Sequence, residues 1–171
     1  MGMDVYGKHA RSEAGAYFRN NVWWWRPLAD YILANGPAVV HKCKYWHSND
    51  GAGLNTRDSL TLAKWLREEI ASGRCKEYAD KHEAERKALP RETCEWCKGT
   101  GIRSDEVAVK NGMHERVIAK EGHPRNGQKG WCNACDGIGT RESFAAAYPF
   151  SVENCAEFAT FLEQCGGFGI S

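Results

Sequence analysis

The chain has little net charge, little proline and no long apolar run. Its 171 residues carry 23 Lys and Arg against 22 Asp and Glu, a formal net charge of +1. That balance removes the bulk electrostatic case for DNA, RNA or an anionic membrane as partner. No stretch approaches the roughly 18 consecutive apolar residues of a spanning helix, so none is expected. The opening MGMDVYGKHARSE has no apolar core of a secretory signal. Tyr6 stands where a myristoylation signal wants Ser or Thr. A cytoplasmic location is therefore the expectation. There is no G-x-x-x-x-G-K-[ST] phosphate loop, no G-x-S-x-G elbow and no H-E-x-x-H pair. The NDGAGL segment at 49–54 lacks the alternating acidic ligands of a calcium loop and reads as a turn before a helix.

Cysteine, by contrast, is plentiful, and half of it is ordered. Of eight cysteines, four lie in two copies of C-x-x-C-x-G-x-G: CEWCKGTG at 94–101 and CNACDGIG at 132–139. Each C-x-x-C turn brings two sulfurs to one side of a knuckle. Two knuckles supply the four thiolates of a tetrahedral zinc site. Gly99, Gly101, Gly137 and Gly139 can take positive φ and turn backbone N–H groups toward the sulfurs. Cys94, Cys97, Cys132 and Cys135 are accordingly assigned to one structural Zn²⁺. A redox dithiol and an iron–sulfur centre are the competing chemistries for such residues. A site closed by four protein ligands has no open position for substrate, so the metal is scaffold. Cys155 and Cys165 fall on one predicted helix, about 15 Å apart along its axis. That exceeds the roughly 7 Å reach of a disulfide. Cys43 and Cys75 have no spacing that suggests a partner, and the four are expected as buried free thiols.

The two knuckles resemble the cysteine-rich zinc region of DnaJ-type co-chaperones over residues 92–141. That family carries four such repeats and two zincs; two repeats here imply one. Its J-domain signature is His-Pro-Asp, whereas His123-Pro124 is followed by Arg125. Over nearly its full length the chain also resembles a group of small, uncharacterised proteins seen in phages and bacterial genomes. The residues that carry this are MGMDVYGK, YFRNNVWWWRPL, NDGAGL and YPFSVENCAEFATFLEQCGGF. The resemblance implies a phage or prophage setting and no particular activity.

Local patterns predict the elements. The run around Met3 and Val5 alternates like a strand. Residues 17–35 read as helical, with a firm helix over 27–35 because Pro27 suits a first turn. Leu62, Ala63, Leu66 and Ile70 make one stripe of a helix over 57–71. A charged helix follows over 74–88, with Glu77/Lys81 and Glu83/Lys87 as i,i+4 pairs. The long span between knuckles should hold a hairpin or short helix near 110–120 and a flexible tip at HPRNGQKG. Ser151 is the expected N-cap of a last helix whose apolar face is Val152, Cys155, Phe158, Leu162 and Cys165. The closing FGI is expected to pair with the N-terminal strand.

Three further groups are candidates. Trp23, Trp24, Trp25 and Arg26 form a possible partner contact, since Trp and Arg recur at interface hot spots; core anchoring is the competing reading. His41, Cys43 and His47, with Asp50, could form a metal or acid–base cluster, against an ordinary loop. Lys98, Arg103, Lys110, Arg116, Lys120, Arg125 and Lys129 make the long insert rich in cations. Asp105, Glu106, Glu115 and Glu121 offset much of that charge.

The expected whole is an α+β protein with a small sheet joining the termini and three to four helices. Residues 1–91 and 142–171 would form the core domain, and 92–141 a zinc-stapled insert. The leading functional expectation is a non-enzymatic, intracellular protein-interaction module of phage type, acting on a host or defence protein. A nucleic-acid-binding zinc ribbon is the second, and an enzyme built on His41–Asp50 the third.

Overall fold

The computed structural model describes residues 2–171; Met1, the first residue of the opening motif, lies outside them. The chain divides into two compact units, one formed by the chain up to Lys87 with Ala147–Ser171, the other by Ala88–Ala146.

The first unit is built on a three-stranded antiparallel sheet in the order β2-β1-β5. β1 is Gly2–Gly7, β2 is Tyr17–Asn21 and β5 is Phe168–Ile170. The expected closure of the termini is present: Val5 pairs with Ile170 and Gly7 with Phe168. A short helix, α1 (Glu13–Ala16), precedes β2. Three long helices follow β2 in the chain, α2 (Val22–Asn35), α3 (Thr56–Ala71) and α4 (Arg74–Ala88), and α6 (Val152–Gln164) precedes β5. The fold is α+β.

β2 corrects the helical reading of residues 17–21. Phe18 and Asn20 alternate with exposed neighbours, a period of two, and β1 supplies the hydrogen-bonding partner. α2 also begins five residues before Pro27. Asn21 caps it, its side chain accepting from the Trp23 and Trp24 amides. Pro27 costs one interior hydrogen bond. Burial of Trp25, Leu28, Ala29 and Ile32 along the same face holds the helix through that defect. Ser151 caps α6 as expected, accepting from the Asn154 amide.

NDGAGL is more than a turn. Its backbone runs beside β5: Gly51 N–H donates to Ile170 O, Ile170 N–H to Ala52 O and Phe168 N–H to Leu54 O. A Cβ on Gly53 would sit 1.8 Å from the Phe168 carbonyl oxygen, so only glycine allows this approach.

The core is aromatic. Phe158 contacts Phe18, Trp25, Trp46, Phe161 and Phe168 with ring centroids 5.1–6.5 Å apart. Both buried indoles find acceptors: Trp25 Nε1 donates to Trp46 O and Trp46 Nε1 to Val40 O.

Candidate metal centre

The second unit has a thin conventional core. Cys94, Cys97, Cys132 and Cys135 form its buried cluster, with Ala108 and Ile118 the other buried apolar side chains. The local elements are slight: β3 (Glu92–Thr93) pairs with β4 (Thr140–Arg141), and α5 (Glu106–Lys110) is a single short helix capped by Asp105. α5 ends at Lys110, where the expected 110–120 window begins, and an isolated bridge between Val117 and Lys129 supplies the hairpin character there.

The four sulfurs lie within 4.8 Å of one another. Cys94 Sγ is 3.9 Å from Cys132 Sγ, and Cys97 Sγ is 3.7 Å from Cys135 Sγ. Tetrahedral geometry with metal–sulfur bonds of about 2.3 Å separates sulfurs by about 3.8 Å. The cage is thus sized for one metal ion, and its spacings are too long for disulfides.

The glycine frame does what the motif demands, and does it twice. Lys98 and Asp136 follow the second cysteine of each knuckle with φ of 49° and 52°. Gly99, Gly101, Gly137 and Gly139 all have positive φ. Gly101 N–H donates to Cys97 Sγ and Gly139 N–H to Cys135 Sγ, each at 3.3 Å. Such bonds disperse thiolate charge and orient the ligand.

Burial resists the charge on Cys94, but the Cys97 and Trp96 amides outweigh it and bring the thiol down to about 7. Burial pushes Cys132 up to about 12 and raises Cys135. A bound divalent cation would override the burial, because a coordinating thiol is deprotonated outright.

The segment expected as a flexible tip is tied to the knuckles. His123 is buried; its Nδ1 accepts from the Arg125 amide and its Nε2 faces the Asp136 carbonyl at 2.5 Å. One acceptor and one donor make it the neutral Nε2–H tautomer. Arg125 donates to the carbonyls of Thr100 and Lys129. Pattern reading had no signal for this, since the partners lie in both knuckles.

The other candidates separate. Trp25 is buried, whereas Trp23 and Trp24 are half-buried and Arg26 is exposed. Trp23 packs on Tyr148 at 5.0 Å and Arg26 lies over the same ring at 5.8 Å. His41, Cys43 and His47 line a cavity of about 490 Å³ whose lining does not include Asp50. His47 instead pairs with Asp30 at 3.0 Å, and Asp50 accepts from Ser48. Burial pushes the Cys43 thiol up to about 11, leaving little nucleophilic thiolate at neutral pH. Among the described residues the four cysteines are the one group of three or more His, Cys, Asp or Glu arranged to hold a metal.

The cations of the second unit are largely spoken for. Arg103 pairs with Asp105, Lys120 with Asp136, Lys129 with Glu115 and Arg141 with Glu95. Arg103 also stacks on Trp96 at 4.2 Å and Arg116 on Trp131 at 4.1 Å. Among the described residues no helix is long and apolar enough to cross a membrane. Comparison with known proteins found no matching family model, no matching curated protein and no matching solved structure.

Proposed function

We propose that this chain is a zinc-binding, non-enzymatic protein-interaction module of phage or prophage type, working in the host cytoplasm. One structural Zn²⁺ on Cys94, Cys97, Cys132 and Cys135 orders the second unit. The observation that carries the metal reading is the buried four-sulfur cage with an N–H···S bond from each knuckle. Zinc is favoured because thiolates are soft ligands and sulfurs all within 4.8 Å of one another enclose a single ion, with no room for several irons and their bridging sulfides. The closed cage leaves no position for substrate, which supports a scaffold rather than a catalyst.

The interaction reading rests on what the ordered unit presents. Trp96, Val107, Val109, Val117, Ile138 and Phe144 are exposed, while many neighbouring charges neutralise one another. Single exposed apolar side chains are ordinary, but so many on 59 residues suit contact with another protein better than with a polyanion. The phage setting, and action on a host or defence protein, rest on the resemblance of the opening, tryptophan-rich and closing segments.

Nucleic-acid binding is the second reading, and the two Arg–Trp stacks favour it, since aromatic faces beside guanidinium groups suit single strands. The test is affinity purification of tagged chain from a bacterial host, with metal analysis and mass spectrometry on one sample. One zinc per chain with a recurring protein partner is expected. Iron, or no metal, overturns the zinc assignment. Co-purifying nucleic acid released steeply by salt moves the function to the second reading.

A further inference from the structure

Two arginines of the second unit lie on tryptophan rings, and their remaining valences differ. Arg103 covers Trp96, but its guanidinium is buried and donates to Asp105 and to Asn133 Oδ1. Arg116 covers Trp131 at 4.1 Å and is exposed. The nearby acids are engaged elsewhere: Glu115 with Lys129, Asp136 with Lys120, Asp105 with Arg103. Among the described residues Arg116 has no carboxylate partner.

This arginine is nonetheless held in place. Trp131 beneath it is fixed, because its Nε1–H donates to Asp136 Oδ1 at 3.1 Å. Lys120 Nζ fixes Asp136 in turn, donating to Oδ2 at 2.9 Å. Trp131 and Asp136 flank Cys132 and Cys135 in the chain, so the second knuckle is the floor of the arrangement. The backbone that carries Arg116 is tied as a hairpin: Ile118 N–H donates to Gln128 O, and Gly130 N–H to Arg116 O. A cavity of about 320 Å³ lies here, lined by Arg116, Val117, Ile118, Lys120, Trp131 and Asp136 among others.

A guanidinium laid flat on an indole keeps its edge N–H groups free. That planar fork matches a carboxylate through two parallel hydrogen bonds. Stacking has already removed much of the side chain's freedom, which lowers the cost of binding. Arg116 and Lys120 against Asp136 leave the lining with one net positive charge. A single carboxylate neutralises it. A nucleic-acid strand fits less well, because the guanidinium covers the indole face that a base would stack on. Asp136 also repels a phosphate track, and the paired cations nearby offer no basic path for one. The walls Val117 and Ile118 are apolar, and Val117 is exposed.

We propose that this cavity binds the carboxylate of an acidic side chain on a partner protein, with apolar residues beside it, and that Arg116 grips the carboxylate. The proposal deepens the protein-interaction reading and rests on it. Arg116 is the recognition residue; Trp131, Asp136 and Lys120 are positioning residues that hold it.

The test is a nuclear magnetic resonance titration of the metal-loaded full chain with two probes, acetyl-Leu-Glu-Leu-amide and its glutamine counterpart. The glutamate peptide should shift the Trp131 indole N–H and the Arg116 Nε–H saturably, and bind about tenfold or more tighter than the glutamine peptide. Arg116→Gln should abolish that preference. Arg116→Lys should reduce it, since an ammonium has no planar fork. Lys110→Gln, on exposed α5, should leave it unchanged. The comparison of the two peptides on wild type stands even if a variant does not fold. Equal binding of both peptides would overturn the proposal, as would a preference that survives Arg116→Gln. Tighter binding of inorganic phosphate or single-stranded oligothymidylate at the same resonances would also overturn it. A partner captured from the host that binds Arg116→Gln as well as wild type would sink this site and leave the interaction reading standing.

Discussion

Gly101 and Gly139 approach the opposite knuckle in mirrored fashion. A Cβ on Gly101 would lie 2.3 Å from Gly137 O, and one on Gly139 would lie 2.3 Å from Gly99 O. Each also donates its N–H to the second cysteine of its own knuckle. The repeat is therefore two copies packed face to face across the sulfur cage, and its last glycine serves ligand orientation and packing together.

Replacing either glycine tests this. Gly101→Ala and Gly139→Ala force a positive φ on an L-residue, about 1–2 kcal/mol, and add a backbone clash. Gly112→Ala bears a similar φ of 64° with nothing near its Cβ. The first two variants should lose metal to a competing chelator at far lower chelator concentration than Gly112→Ala. Equal behaviour of all three would show that close packing plays no part.

Cys94→Ser should abolish stoichiometric metal and unfold residues 88–146 while leaving the helices of the first unit in place. The reason is that the cage supplies four of the six buried apolar side chains of the second unit. Metal analysis with amide exchange resolved by segment checks it. Retained metal and unchanged protection in 88–146 would refute the ligand assignment.

Phe158→Ala should cost about 3–5 kcal/mol, the range for truncating a buried aromatic. Phe158 touches five other rings and none of them can close the gap alone. Trp25→Ala belongs in the same class, whereas Trp24→Ala, at a half-buried position, should cost clearly less. Denaturant unfolding measures all three. If the Trp24 and Trp25 variants are equally destabilised, the burial difference has been misjudged.

Glu69 predicts an acid limb. Burial opposes its charge, but hydrogen bonds from Arg74 and Tyr31 prevail and hold the carboxyl below its ordinary range. Its stabilising contribution is therefore complete above the ordinary carboxylate pKa of about 4.3 and fades as pH falls through the lower folded value. Glu69→Gln should flatten the fall in stability below that pH. Parallel pH profiles of wild type and variant would remove Glu69 as its source.

The sequence alone determined what contiguous residues can encode. The four cysteines and their glycines were legible because a knuckle is a turn of eight residues with its own φ requirements. Ser151 and the apolar stripe of α6 were legible because capping and a 3.6-residue period are local. The pairing of the first and last strands was read from the alternating run around Met3 and Val5 and the short closing FGI, and it is present. Tertiary structure decided the rest. Tyr17–Asn21 became a strand because β1 lay beside it, overriding a window that reads as helix. NDGAGL became a partner of β5 because Gly53 permits contact with Phe168. His47 and Asp50 turned to Asp30 and Ser48, and Cys75 met Tyr31 across 44 residues of chain. Each of these outcomes depends on groups distant in sequence, whose encounter is set by burial of the shared aromatic core and not by any pattern within a short window.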